Sequence, residues 1–158
     1  MYQVNDFLVY GKDVCQVISV LDDEYVLSPL KDNSLKIKTS IHSDKIRGLI
    51  SKEGILELLQ RIPGIGIITS DDKFIEAEYK RCLQSGTYED LIRIIKTTYL
   101  KNKERIDNKR KRTDRDVNYF NKAEEILYQE FSVVLGLSFD ETRDYIVQEV
   151  AKYEKSNA

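Results

Sequence analysis

Two spacings of apolar residues divide the chain. Up to about residue 50 they fall in short β-branched or aromatic runs, partly alternating with polar positions: "FLVY" (7–10), "VCQVISVL" (14–21), "EYVLS" (24–28) and "SLKIKTS" (34–40). Polar breaks separate them at Gly11-Lys12-Asp13, Asp22-Asp23 and Lys31-Asp32-Asn33. Gly and Asn tolerate positive φ and Asp bonds its own backbone, so these breaks predict turns. A last apolar segment, "IRGLI" (46–50), can close the meander. Four or five short strands at this spacing predict a small antiparallel barrel. Within "LKIKT", Leu35 and Ile37 share one face, with Lys36 and Lys38 on the other.

Beyond residue 50 the period becomes helical. Ser51 can cap "KEGILELLQRI", which Pro63-Gly64 stops. Ser70-Asp71-Asp72 offers a cap and acids for a second helix ending at Gly86, with Phe74, Ile75, Tyr79, Cys82 and Leu83 on its inner side. Thr87-x-x-Asp90 starts a third, burying Leu91, Ile94, Ile95, Tyr99 and Leu100. Thr113-x-x-Asp116 starts a fourth, with Val117, Phe120, Ala123, Leu127, Phe131 and Val134 inside and Gly136 at its end. Ser138-x-x-Glu141 reads as a capping box, followed by the stripe Phe139, Thr142, Ile146, Val150 and Tyr153. The expected fold is α+β: a β-barrel over 1–50 followed by a bundle of about five helices over 51–158.

Charge adds a constraint. The net charge is −2; residues 1–50 hold six Lys/Arg against seven Asp/Glu, and the remainder 19 against 20. Neither half is a generic polyanion binder, so nucleic-acid contact would need a local patch. No apolar run approaches the ~18 residues of a bilayer span, and "MYQVNDFLVYG" lacks the basic leader of a signal peptide. A cytoplasmic protein without a membrane partner is expected. Cys15 and Cys82 read as small buried hydrophobes, and with no CxxC and a single His42 neither a metal nor a cofactor is expected.

Catalytic chemistry finds little to work with. His42 in "SIHSDK" reads as an exposed loop residue without a serine–acid partner. Turns and caps account for Asp22-Asp23-Glu24 and Asp71-Asp72, and "PGIGI" lacks the lysine of a phosphate-binding loop. The basic positions say more. Lys73, Ala77, Lys80 and Gln84 share one face of the second helix, with Arg81 beside it, a surface suited to phosphates. Residues 101–115 hold eight Lys/Arg against three Asp/Glu. Most of those cations, including Lys109, Arg110, Lys111 and Arg112, follow a helix end, where they favour its carbonyl pole; they form a secondary basic patch.

The segments "VNDFLVYGKDVCQV", "EYVLSP", "LKIKTS", "SGTYEDLIRIIKTTYL" and "YFNKAEEILYQEFSVVLG" together resemble the CarD/CdnL family of bacterial transcription regulators, in the form found in Firmicutes, over nearly the whole chain. The resemblance implies a Tudor-like (SH3-like) barrel that binds the β subunit of RNA polymerase, a module shared with the transcription-repair coupling factor. It also implies a helical domain facing promoter DNA at the upstream edge of the bubble. Lys36, Ile37 and Lys38 match the polymerase-contacting strand. Two departures stand out. Asp13 replaces the second glycine of a "YGxxGV" turn, and the chain has no Trp to serve as the family's minor-groove wedge. Ile68 or a near neighbour takes that position, and Ile75 one where a basic residue is common.

The expected function is thus non-enzymatic: docking on polymerase through residues near 35–40 and stabilising open complexes through DNA backbone contacts by Lys73, Lys80 and Arg81, with Ile68 the DNA-binding residue at the wedge position. The protein would be nucleoid-associated through polymerase. The alternative is an adaptor bound to polymerase or another protein without productive DNA contact. A homodimer through an exposed strand edge is a further expectation.

Overall fold

A computed structural model describes residues 1–156, with side chains as far as Lys152. The chain divides into two compact units, Met1–Ser51 and Lys52 onward.

The first unit is a curled, half-barrel antiparallel sheet. Its strands are β1 (Phe7–Tyr10), β2 (Asp13–Leu21), β3 (Glu24–Pro29), β4 (Ile37–Ser40) and β5 (Ile46–Arg47), in the order β4-β3-β2-β1-β5. Asp22 and Asp23 form the two-residue turn between the paired Leu21 and Glu24, with φ of 51° and 64°. Both central residues at positive φ match the right-handed twist of a tight hairpin. Gly11, at φ 63°, turns β1 into β2. Asp13 stands in strand register opposite Tyr10 and pairs with Lys31 at 3.1 Å, so the turn closes without a second glycine.

This curled sheet is the expected antiparallel barrel architecture, with β5 paired to β1 and β4 at the opposite edge. One expectation changes. The strand expected over 34–40 begins only at Ile37. Asp32 accepts the Ser34 N–H (3.1 Å) and hydroxyl (2.6 Å), holding the chain in a turn. Alternation sends Leu8, Cys15, Val17, Tyr25 and Leu27 into one core cluster, each at most 1% exposed. Burying an aliphatic side chain of this kind contributes ~1.5–3 kcal/mol.

The second unit holds five helices: α1 (Lys52–Arg61), α2 (Asp72–Ser85), α3 (Tyr88–Asp107), α4 (Asp114–Leu135) and α5 (Phe139–Ser156), with a 3-10 turn at Ile62–Gly64. Thr87 and Thr113 cap α3 and α4 by accepting the N–H groups of Asp90 and Asp116, both at 3.2 Å. Ser138 and Glu141 bond reciprocally at 3.0 and 3.1 Å, the capping box of α5. Asp71 is the N-cap of α2 but makes no side-chain cap bond. Left-handed Gly86 and Gly136 terminate α2 and α4. A six-residue connection makes α3 and α4 an antiparallel hairpin, latched at its far end by Tyr88 Oη donating to Glu130 Oε2 at 2.7 Å. Among the described residues, no helix is long and apolar enough to cross a membrane.

Tyr99 and Leu100, expected inside, are 57% and 45% exposed. The inward line of α3 instead continues from Leu91 and Ile94 through Thr97, Thr98 and Asn102, all buried. The Thr98 hydroxyl is satisfied by the Ile94 carbonyl at 2.7 Å, which lets a polar residue occupy the core. Phe74 is likewise on the surface, while Ile75, Tyr79 and Cys82 are buried. Phe139 is exposed, Thr142 and Ile146 are buried, and the Tyr153 side chain lies outside those described.

Candidate functional site

In the β unit, β4 pairs only with β3, in the register Leu27↔Ile37, Val26↔Lys38, Tyr25↔Thr39 and Glu24↔Ser40. Its outer N–H and C=O groups therefore belong to an open sheet edge, which can accept another strand. Ile37 is half-buried against the core, whereas Lys38 is exposed and forms no ion pair among the described residues. Lys36 lies just before the strand. Its Nζ donates to the Asn33 carbonyl at 2.9 Å and the Ser28 hydroxyl at 3.4 Å, so this ammonium is tethered to its own loop.

In the helical unit, the segment between the 3-10 turn and α2 is pinned to α3. Lys96 Nζ donates to the carbonyls of Ile62 (2.9 Å) and Ile65 (2.6 Å), and Arg93 Nε to that of Gly66 (3.3 Å). The Ile68 N–H donates to Thr97 Oγ1 at 2.9 Å, and its side chain is only 7% exposed. Ile68, expected at the DNA wedge position, is thus buried and anchors this segment. Its neighbour Ile67 and Phe74 are the exposed apolar groups nearby in sequence.

The α2 face is not the cationic surface that spacing suggested. Lys80 Nζ sits 3.8 Å from Glu76, and Arg81 Nε bonds Glu78 at 3.1 Å, with Asp90 3.9 Å from Arg81 Nη1. Helix α2 carries three acids and three bases, a balanced surface. Lys73 is exposed, its ammonium 5.7 Å from the Phe74 ring centroid. The run Lys109-Arg110-Lys111-Arg112 is different. All four are exposed, and none forms an ion pair among the described residues. Lys109 adopts φ 60° past the end of α3, and the Arg110 N–H returns to the Arg105 carbonyl at 2.7 Å. Arg105 Nε holds the Lys111 carbonyl at 2.7 Å, fixing the loop's backbone while its side chains project outward.

Beside this loop lies a polar cleft of about 240 Å³ whose lining includes Asp72, Lys101, Arg105, Arg110 and Arg115. Lys101 bonds Asp72 at 3.1 Å, and Arg115 approaches it at 3.7 Å. The Lys101 hydrogen bond and charge hold the Asp72 carboxyl below its ordinary range. The buried carboxylates are occupied structurally. Asp116 accepts Tyr79 Oη at 2.9 Å and Arg115 Nε at 3.2 Å. Glu124 accepts Arg143 through two nitrogens, at 3.0 and 2.7 Å. Asp90 accepts the Ser85 hydroxyl at 2.5 Å and pairs with Arg93. Burial and the Asp116 bond push the Tyr79 phenol upward. Burial raises Cys15 to about 11, and both cysteines are free and buried. His42 is exposed. Among the described residues, no cluster of His, Cys, Asp and Glu could hold a metal ion.

Sequence reasoning missed two features. The carboxylate partnerships join residues far apart in the chain and leave no periodic trace. The second, a groove between α3 and α4, contains Tyr99, Lys103 and Ile106 on one helix and Val117, Phe120 and Asn121 on the other. The i, i+4, i+7 spacing of Tyr99, Lys103 and Ile106 was its available signal. No family model matches the chain, and no curated protein matches it at a significant level.

Proposed function

We propose that the protein is a non-enzymatic transcription regulator that docks on the β subunit of RNA polymerase through the β4 edge and touches promoter DNA with its helical unit. The observation that carries this reading is the run Lys109–Arg112: four exposed cations without ion pairs among the described residues, in a chain of net charge −2. Such side chains exchange condensed counterions on DNA for themselves without first breaking an internal pair. Lys80 and Arg81 must give up Glu76 and Glu78. Exposed pairs are worth only ~0–1 kcal/mol, so those two remain usable contacts of lower rank. Phe74, rather than Ile68, offers the exposed apolar surface beside Lys73.

The mechanism is a population shift. Contacts made only with melted promoter DNA favour the open complex, and each ~1.4 kcal/mol changes that equilibrium about tenfold. Docking on polymerase raises the local concentration of weak phosphate contacts, which is how a net-acidic chain can act on DNA. The adaptor reading rests on a specific observation too: the charge-balanced α2 face and the absence of Trp give DNA little to hold there.

Titration of the isolated polymerase β subunit tests the docking step. Lys38→Glu is expected to weaken binding about tenfold or more, and Lys36→Glu less, because Lys36 already serves its own loop. Unchanged binding by Lys38→Glu contradicts docking through β4.

A further inference from the structure

We propose that the groove between α3 and α4 docks an acidic amphipathic helix of a protein partner. This goes beyond the transcription reading and does not depend on it. The groove, about 510 Å³, runs along the loop-proximal half of the hairpin. Tyr99, Asn102/Lys103 and Ile106 recur at i, i+3/i+4 and i+7, so they form one stripe spanning two turns, roughly 10 Å. Val117, Phe120 and Asn121 face them from α4. Paired stripes on antiparallel helices form a trough that accepts a third helix through its own i, i+3/i+4, i+7 residues. Tyr99 and Ile106 are 57% and 55% exposed, which leaves apolar area on both sides of that trough uncovered within the chain.

Two further observations select the occupant. The charged residues lining the groove are Lys103, Arg112 and Arg143, and no carboxylate lines it. Glu124 already engages Arg143, but Lys103 and Arg112 are exposed and form no ion pair among the described residues, so the rim is complementary to acids. Asn102 also lines the groove while only 9% exposed, and its Oδ1 is buried with no hydrogen-bond partner among the described residues. A buried acceptor left alone costs stability, and an N–H or O–H donor from the partner removes that cost. DNA fits poorly, because Ile106, Val117 and Phe120 offer nothing to phosphates. The polar cleft's α3 residues Lys101, Arg105 and Asn108 occupy the opposite side of α3, and Arg112 is the one cation that belongs both to the groove and to the run Lys109–Arg112.

The test uses the full chain and a fluorescein-labelled synthetic helix of about four turns. The probe carries Leu at the stripe positions, one central Gln and flanking Glu; its controls are a scrambled isomer and a version with Lys in place of Glu. The proposal expects saturable binding of the acidic helix alone, with NMR amide shifts concentrated at Tyr99, Asn102, Ile106 and Phe120. The double variant Lys103→Glu/Arg112→Glu should weaken binding about tenfold or more. Asn102→Leu should weaken it about threefold or more while raising Tm by about a few degrees, because it removes an unpaired acceptor. A purely structural Asn102 moves stability without moving affinity. Equal binding of the scrambled isomer, shifts mapping elsewhere, or no binding overturns the proposal. Concentration-dependent dimerisation abolished by Ile106→Glu also overturns it, assigning the groove to a second copy.

Discussion

The β unit buries no carboxylate, and its buried polar side chain is Ser28; the helical unit buries Asp90, Asp116, Glu124 and Glu130. The difference follows from how each architecture settles its geometry. In the sheet, backbone pairing and a period of two fix which residues face inward, so apolar packing suffices. Helices can rotate and slide against one another. The directional partners Tyr79–Asp116, Arg143–Glu124 and Tyr88–Glu130 tie neighbouring helices at defined rotations. Binding capacity divides along the same line: backbone at an open sheet edge in one unit, side chains at a loop and a groove in the other.

The largest effect should come from removing a buried charge partner. Asp116→Ala leaves the Tyr79 hydroxyl buried without its acceptor, and a loss of about 2–4 kcal/mol is expected in urea unfolding followed by circular dichroism at 222 nm. Because that signal reports helices, an unchanged transition at 222 nm would break the comparison. Leu27→Ala is the counterpart in the β unit. Deleting a fully buried aliphatic group should cost about 2–4 kcal/mol, read from the chemical shifts of β2 and β3 amides during denaturation.

Smaller effects sharpen the picture. Thr113→Ala removes the cap of α4 and should cost about 1 kcal/mol, whereas Ser70→Ala should cost almost nothing, because Asp71 is the N-cap of α2. Glu141 gives the smallest effect. Its carboxyl lies below the ordinary range because the Ser138 N–H donates to it, so the ionised form is favoured by folding. Its contribution is complete above an unfolded pKa of about 4.3 and is lost as pH falls through the lower folded value. A slight acid loss of helicity should therefore disappear in Glu141→Gln; persistence of the same step in that variant would assign it to another carboxylate.

The sequence made much of this legible. Thr87, Thr113, Ser138 and Gly136 mark helix ends because caps are local chemistry, written within four residues. An exposed strand edge was expected, but that β4 carries it, with β5 paired to β1, follows from the pairing order and leaves no mark in residue type. Tyr99 was placed inside because the true inward line passes through Thr98 and Asn102, which an apolar pattern does not register. Ile68 looked available for DNA because nothing in its local sequence reveals the Thr97 hydroxyl that holds it. For the basic residues, periodicity grouped Lys73, Lys80 and Arg81, but the acids one turn away decide how much charge they present. The cations at 109–112 remain exposed and form no ion pair among the described residues, which a sequence run cannot reveal.

The most direct test of the division between docking edge and DNA-facing cations is the lifetime of a promoter open complex formed by polymerase with saturating protein. Wild type should lengthen that lifetime, and the variant with Lys109, Arg110, Lys111 and Arg112 all changed to Ala should still bind the polymerase β subunit yet lose most of the extension. With about four phosphate contacts removed, the salt dependence of the lifetime should flatten as well. A variant that extends the lifetime as well as wild type, with the same salt dependence, would contradict the account and leave the adaptor reading in its place.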